Sequence, residues 1–245
     1  PFGWSGTVTP SKAGYTFSPV SKPYTNYSMS SFEENYTATL NTYSISGSAG
    51  VAGATVSYSG TPNGSVTADS SGLYTISGIP YGWTGTVTPS LAGYTFVPTN
   101  REYTNVTANW TSQDYVASMN TFTISGNAGV AGASLAYTGG AEPVLADSSG
   151  NYTITVPWGW DGTVTPSKTG YTFTPSSKTY TDVVANKTGE NYTAALNTYT
   201  ISGNAGVVGV LITYTGGTTT TDSLGDYSFT VNYGFKHQIF TDRYQ

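Results

Sequence analysis

Asn41-Thr42-Tyr43-Ser44-Ile45-Ser46-Gly47 returns as Asn120-Thr121-Phe122-Thr123-Ile124-Ser125-Gly126 and again as Asn197-Thr198-Tyr199-Thr200-Ile201-Ser202-Gly203, at spacings of 79 and 77 residues. A fixed period of this length marks one structural unit copied head to tail. Within the motif Tyr43 and Ile45 alternate with Thr42, Ser44 and Ser46, the two-residue period of a half-buried strand. The period divides the 245 residues into the second half of a repeat (1–40), two complete repeats (41–119 and 120–196), the first half of another (197–231) and a divergent tail (232–245).

Each copy reads as short strands separated by turn residues. A Gly-rich turn, Ala49-Gly50-Val51-Ala52-Gly53-Ala54, leads into a second strand, Thr55-Val56-Ser57-Tyr58. The next connection is ten, nine or seven residues long before Asp69, Asp147 or Asp222, and unequal length marks a surface loop. Asp69-Ser70-Ser71-Gly72-Leu73-Tyr74 and its counterparts read as hairpin turns, with an Asp that bonds its own downstream backbone and a Gly free to adopt positive φ. Pro80 and Pro157 are expected to end the following strand, and Pro19, Pro98 and Pro175 the strand after Gly14, Gly93 and Gly170. About seven short strands per unit and no helical period predict an all-β fold, a tandem array of small β-sandwiches. No Pro- or Gly-rich linker separates the copies, so neighbouring units are expected at a fixed angle.

Composition removes several function classes. Only 9% of residues are charged, while 21 are Tyr; disordered chains show the opposite bias, so this one is folded β structure. A net charge of -5 leaves no basic surface for nucleic acid. No apolar run approaches the roughly 20 residues that span a bilayer. Cysteine is absent, so there is no disulfide framework and no thiolate metal site. The opening at Pro1, without Met or signal sequence, is read as a mature product or a fragment.

Ile-Ser-Gly, Val-Ala-Gly-Ala-Thr-Val, Asp-Ser-Ser-Gly-Asn-Tyr-Thr-Ile and Gly-Tyr-Thr-Phe-Xaa-Pro together resemble the carboxypeptidase-regulatory-like domains, which are similar to the B-type repeats of collagen-binding adhesins. The resemblance spans the whole unit and implies Ig-like or prealbumin-like sandwiches of about seven strands, in secreted or surface-anchored bacterial proteins. Many B-type repeats carry an internal Lys–Asn isopeptide bond; residues 41–119 contain no lysine, so that unit cannot form one.

Chemical candidates are few. A Ser-His-Asp arrangement needs an imidazole, and the single histidine, His237, lies in a stretch that has left the repeat. Asp69, Asp147 and Asp222, with Asp226, are candidate calcium ligands, although calcium wants six to eight oxygens and the turn already accounts for these acids. Paired carboxylates for glycoside hydrolysis do not recur. No cofactor is called for, and no enzymatic role is expected. Trp4, Tyr81, Trp83, Trp158 and Trp160 are candidate sugar-stacking residues, with packing at the sandwich edge as the competing reading. Eight Asn-Xaa-Ser/Thr sequons, at Asn26, Asn35, Asn63, Asn105, Asn109, Asn151, Asn186 and Asn191, are permissive for glycosylation.

The two half-repeats are complementary. Half a sandwich exposes unpaired strand edges and apolar faces, which are covered by neighbouring repeats of a longer chain, by closure of the two ends, or by a second molecule. A contact of the last kind propagates into a filament. The sequence therefore points to an extracellular or cell-surface structural protein, a stalk or fibre subunit that associates head to tail or with neighbouring repeats of a longer chain. The alternative is a carbohydrate-binding or adhesive module that gains avidity from repetition.

Overall fold

The structure is a computed structural model that describes residues 2–236, and all its regular elements are β-strands. It divides into two compact units, residues 1–120 and 121–245. The first opens with β1 (Trp4–Val8), β2 (Tyr15–Ser18), β3 (Lys22–Tyr27) and β4 (Thr37–Leu40), in which β1 pairs with β3 and β2 with β4, both antiparallel. A complete repeat follows: β5 (Thr42–Ser48), β6 (Thr55–Ser59), β7 (Gly64–Thr67), β8 (Leu73–Pro80), β9 (Trp83–Ser90), β10 (Tyr94–Val97), β11 (Arg101–Val106) and β12 (Val116–Met119).

One layer of this repeat is a four-stranded sheet in the order β11-β9-β6-β7. The facing layer pairs β5 with β8, and along the second edge of β5 runs residues 109–115, bridged in parallel through Ile45 and Trp110. The strands alternate as the sequence demands: in β8 Tyr74, Ile76 and Ile79 are buried while Leu73, Thr75 and Ser77 face water. Ile45, Ile76 and Ile79 meet Val56, Val87, Trp83 and Tyr103 from the other layer to form the core. The pair β10–β12 adds Phe96 to this core, with Tyr94 and Ala117 packed against it.

The second unit repeats the plan with β13 (Thr121–Asn127), β14 (Ser134–Tyr137), β15 (Val144–Leu145), β16 (Asn151–Pro157), β17 (Trp160–Ser167), β18 (Tyr171–Thr174), β19 (Lys178–Val183) and β20 (Thr193–Leu196). It ends in a half-repeat of β21 (Thr198–Asn204), β22 (Leu211–Tyr214), β23 (Gly217–Thr220) and β24 (Asp226–Asn232), where β21 pairs with β24 and β22 with β23.

The structure refines the reading of two segments. The connection of unequal length holds a short strand in every copy, β7, β15 or β23, so a complete repeat has eight strands. The Asp69 and Asp147 turns do not join paired strands. β7 lies in the four-stranded sheet and β8 pairs with β5, so the turn carries the chain from one layer to the other. The local chemistry is as expected: Asp69 Oδ1 accepts from Ser71 N at 2.8 Å and Leu73 N at 2.9 Å, and Gly72 has φ 77°. Strands β8 and β16 end on Pro80 and Pro157, while β2, β10 and β18 stop one residue before Pro19, Pro98 and Pro175.

A single asparagine joins successive copies. Asn41 separates β4 from β5; its N–H donates to Gly14 O at 2.8 Å, its Oδ1 accepts from Thr16 Oγ1 at 2.7 Å, and its carbonyl accepts from Tyr81 N at 2.9 Å. The Tyr81 ring covers Gly14 so closely that a Cβ there has no room. Asn197 repeats the set with Gly170 O, Thr172 Oγ1 and Tyr233 N, and Tyr233 covers Gly170. Asn120 bonds Gly93 O and Thr95 Oγ1 in the same way. The repeat geometry thus reaches Tyr233, into the stretch read as divergent tail. His237 and the rest of that tail lie outside the described residues.

Candidate functional site: two open half-sandwiches

The complete repeats show what the half-repeats lack. In each, the segment before the last strand fills a slot along the first. Trp110 N donates to Ser44 O and Ser46 N to Trp110 O, both at 2.8 Å; Gln113 N donates to Ser46 O at 3.0 Å and Tyr115 N to Ser48 O at 2.8 Å. Lys187, Glu190 and Tyr192 make the same four bonds to Thr123, Ser125 and Asn127. Side chains lock the register: Ser44 N and Ser48 N donate to Asn109 Oδ1 and Asp114 Oδ1, as Thr123 N and Asn127 N do to Asn186 Oδ1 and Asn191 Oδ1. Tyr74 and Tyr152 donate their hydroxyls to Gln113 O and Glu190 O.

A charged clamp holds this segment from behind. Lys178 Nζ meets Glu190 Oε2 at 2.9 Å and lies 5.4 Å above the Tyr192 ring, whose hydroxyl donates to Val164 O at 3.0 Å. In the first half-repeat Lys22 meets Glu34 at 2.8 Å, lies 5.3 Å above the Tyr36 ring, and Tyr36 donates to Val8 O at 2.9 Å. The middle copy swaps both charges' partners. Arg101 sits 5.5 Å above Tyr115 and donates to Asp114 O, while the neutral Gln113 accepts from Tyr103. Bonds from Lys22, Ser31 and Tyr24 bring the Glu34 carboxyl down to about 2. Burial raises Glu190, but the bonds from Lys178 and Tyr180 and the lysine charges outweigh it, and its carboxyl titrates below the ordinary value. Burial pushes the Tyr115 and Tyr192 phenols up to about 12.

In the two half-repeats these surfaces are uncovered among the described residues. β9 is flanked by β11 and β6, whereas its counterpart β1 pairs with β3 alone; β22, the counterpart of β6, pairs with β23 alone among the described residues. Val87 is fully buried and Val8 is 45% exposed; Trp83 is 3% exposed and Trp4 37%. Ile201 and Ile212 are half-buried where Ile45 and Val56 are fully covered. Hydrophobic residues in water at an unpaired strand edge invite a matching edge.

The sequence-derived candidates distribute as follows. Trp83 has no face open to a sugar: it packs on Tyr103 and donates to Pro62 O at 3.1 Å. Trp160, partly exposed, packs on Tyr180 and donates to Thr138 O, and Tyr81 serves the copy junction. Trp158, 38% exposed, and Trp4 retain open surface. Asp69, Asp147 and Asp222 each spend Oδ1 on two backbone N–H groups, which lowers the Asp147 carboxyl through the bonds from Asn151 and Ser149. Asp226 belongs to the same turn as Asp222, and Asn204 Nδ2 donates to its carboxylate. No group of three or more His, Asp or Glu suited to a metal occurs among the described residues. Of the sequons, Asn109, Asn186 and Asn191 use their amide oxygens in the slot, and Asn151 bonds Asp147 within its turn. Asn26, Asn35, Asn63 and Asn105 are exposed, with Asn26 and Asn105 at positive φ. Sequence reasoning missed the clamp and the slot glycines. Their signals were a Lys or Arg followed twelve residues later by Glu or Gln in every copy, and a glycine inside the first strand.

No protein-family model and no curated protein matches the chain. Among solved structures it is similar to the Bacillus anthracis TIE protein, at 12% identity and TM-score 0.56, covering 84% of this chain and 48% of that one. The chain thus spans about half the length of that neighbour. The minor pilin of Streptococcus agalactiae (9% identity, TM-score 0.28, 64% and 97% of the two chains) and a streptococcal ancillary pilin (13%, 0.30, 70% and 71%) also match, with superpositions too loose to carry a conclusion. At these identities the likeness concerns the fold: this chain is an all-β array of sandwich repeats.

Proposed function

We propose that this chain is a non-enzymatic structural protein of the cell exterior, a stalk or fibre segment built from sandwich repeats that follow one another without a linker segment. The observation that carries this reading is the asparagine junction inside each unit: Asn41 and Asn197 each bond the strand before them and accept from a tyrosine N–H of the copy that follows, with one residue between strands. Within each unit such a junction transmits orientation from one copy to the next, as a spacer requires. Placement outside the cell rests on the resemblance of the repeat to surface-protein domains.

In the isolated chain, a second copy completes each open half. The register follows from Tyr58↔Val87 and Tyr137↔Val164 in the complete repeats, so Tyr214 of one copy pairs with Val8 of another and Thr213 with Thr9. The absence of cysteine makes the test clean. One chain bearing Thr9→Cys and a second bearing Thr213→Cys are mixed and oxidised; a heterodimer is expected, and electron microscopy of the unmodified chain shows rods that lengthen with concentration. Monodisperse single chains at high concentration overturn the reading. The exposed Trp158 supports carbohydrate binding as a second reading, which requires glycan-array signal that Trp158→Ala removes.

A further inference from the structure

In each complete repeat the first strand and the segment before the last strand run parallel, bridged between Ile45 and Trp110 and between Ile124 and Lys187. The chain enters and leaves each repeat through these two elements. Thr42, which opens β5, follows Asn41 directly, and residues 109–115 continue into β12, which ends at Met119. In the other copy β13 opens at Thr121, and residues 186–192 continue into β20, which ends at Leu196. Tension along the chain therefore draws the two parallel elements in opposite senses along their common axis.

Loaded in this way, the bonds between the two elements share the tension instead of opening one after another from an end. Four main-chain bonds cross the line of slip in each repeat. Parallel pairing is slightly weaker per residue than antiparallel, and here side chains reinforce it: Asn109 and Asp114, or Asn186 and Asn191, accept across the same line, and Tyr74 or Tyr152 donates across it from the next strand. The two backbones lie in contact. A Cβ on Gly47 would stand 2.5 Å from Gln113 O, and one on Gly126 2.5 Å from the Glu190 carbonyl carbon. On its other side the segment is held by Arg101 at Asp114 O or by Lys178 at Glu190. The pairs β5–β8 and β13–β16, by contrast, are antiparallel, with Thr42 opposite Pro80 and Thr121 opposite Pro157. A load across that end parts their bonds singly.

Resting on the structural reading above, we infer that the parallel pairing of the first strand with the penultimate segment is a shear clamp, through which each complete repeat bears tension carried along the chain. Resistance to force is set by the rate of unfolding, and that rate depends on how many bonds must break in one step. The core and the clamp contribute differently. Buried side chains such as Ile124, Leu135 and Ile154 oppose unfolding whatever the direction of pull, whereas the clamp opposes only tension along the strands. That directionality is the property that identifies it.

Because the chain has no cysteine, the points of attachment can be chosen at will. In single-molecule force spectroscopy the full chain is held either through Thr121→Cys and Thr198→Cys, which loads repeat 120–196 along its strands, or through Thr121→Cys and Trp158→Cys, which opens the β13–β16 pair from its end. Rupture in the first direction is expected at the higher force, with release of at most roughly 280 Å of chain. Gly126→Ala, which drives residues 187–192 off the edge of β13, is expected to raise the forced-unfolding rate in the first direction by about a hundredfold and by much less in the second. Leu135→Ala removes buried volume from β14 without touching the clamp, and is expected to speed rupture in both directions while keeping their order. Equal forces in the two directions, or a Gly126→Ala chain that keeps the difference between them, overturn the clamp. Single chains are pulled, so that failure leaves the assembly reading to the heterodimer and the rods; an absence of heterodimer and rods leaves the directional difference as it is.

Discussion

Gly126→Ala and Gly203→Ala make the same change at the same position of the repeat and should have opposite consequences. Neither glycine has a positive φ, so alanine brings no backbone strain and, in a strand, recovers about 0.5–1 kcal/mol of chain entropy. At residue 126 the new methyl lies on the main chain of Glu190, with the carbonyl carbon at 2.5 Å and the amide nitrogen at 2.9 Å. Main chain cannot rotate aside as a side chain can, so residues 187–192 must leave the edge of β13. Four main-chain bonds are then lost, those joining Lys187, Glu190 and Tyr192 to Thr123, Ser125 and Asn127. At about 1 kcal/mol each they amount to roughly 3–5 kcal/mol, and the entropy gain offsets only a fraction. At residue 203 the methyl meets a phenol hydroxyl, and the expected effect is neutral or slightly stabilising.

Because tandem repeats do not unfold as one two-state unit, the readout must be local. Amide hydrogen exchange followed by mass spectrometry resolves the peptide covering residues 187–192. In Gly126→Ala its exchange should accelerate by roughly a hundredfold, the factor that about 3 kcal/mol of lost protection corresponds to, while the β17–β19 pairing stays protected. Gly203→Ala should leave the exchange of β21 and β24 where it was. Unchanged protection of 187–192 in Gly126→Ala would mean that the segment does not lie against the glycine.

Acid should release the segment that Glu34 pins. Its carboxyl is held at about 2 against an ordinary 4.5, so the contribution is complete above 4.5 and is lost as the pH falls toward 2; heterodimer yield should fall over that window, and Glu34→Gln should flatten the profile. Alkali acts on the other side: Tyr115 and Tyr192 titrate at about 12 against an ordinary 10. The fold therefore gains from their neutral form below pH 10 and loses that gain as the pH rises to about 12. Ultraviolet titration should show late-ionising phenols, among them those of Tyr74, Tyr103, Tyr152 and Tyr180, and the Tyr115→Phe/Tyr192→Phe chain should lose the two that titrate at about 12. Trp83→Ala removes a ring 3% exposed and should cost about 3–5 kcal/mol, whereas Trp158→Ala, at 38% exposure, should cost under about 1 kcal/mol; equal losses in thermal unfolding would refute the packing assignment of Trp83.

What could be read from residues alone follows the range of the forces involved. The strands β5, β8 and β9 declared themselves through alternation, because burial of every second side chain is written in adjacent letters. The Asp69 turn was equally legible, since its bonds reach only two and four residues along the chain. Its placement between layers was not, because a turn's dihedrals are the same whether the flanking strands pair or diverge. Thr111-Ser112-Gln113-Asp114 carries no apolar alternation and little β propensity; it is held along the edge of β5, some 65 residues away, and by the side chains of Tyr74, Arg101 and Tyr103. The letter that encodes this long-range contact is Gly47, which looks like the end of the Ile-Ser-Gly strand. β5 in fact continues through it to Ser48. A glycine inside a strand at neither bulge nor turn has one remaining physical reason, the close approach of another backbone.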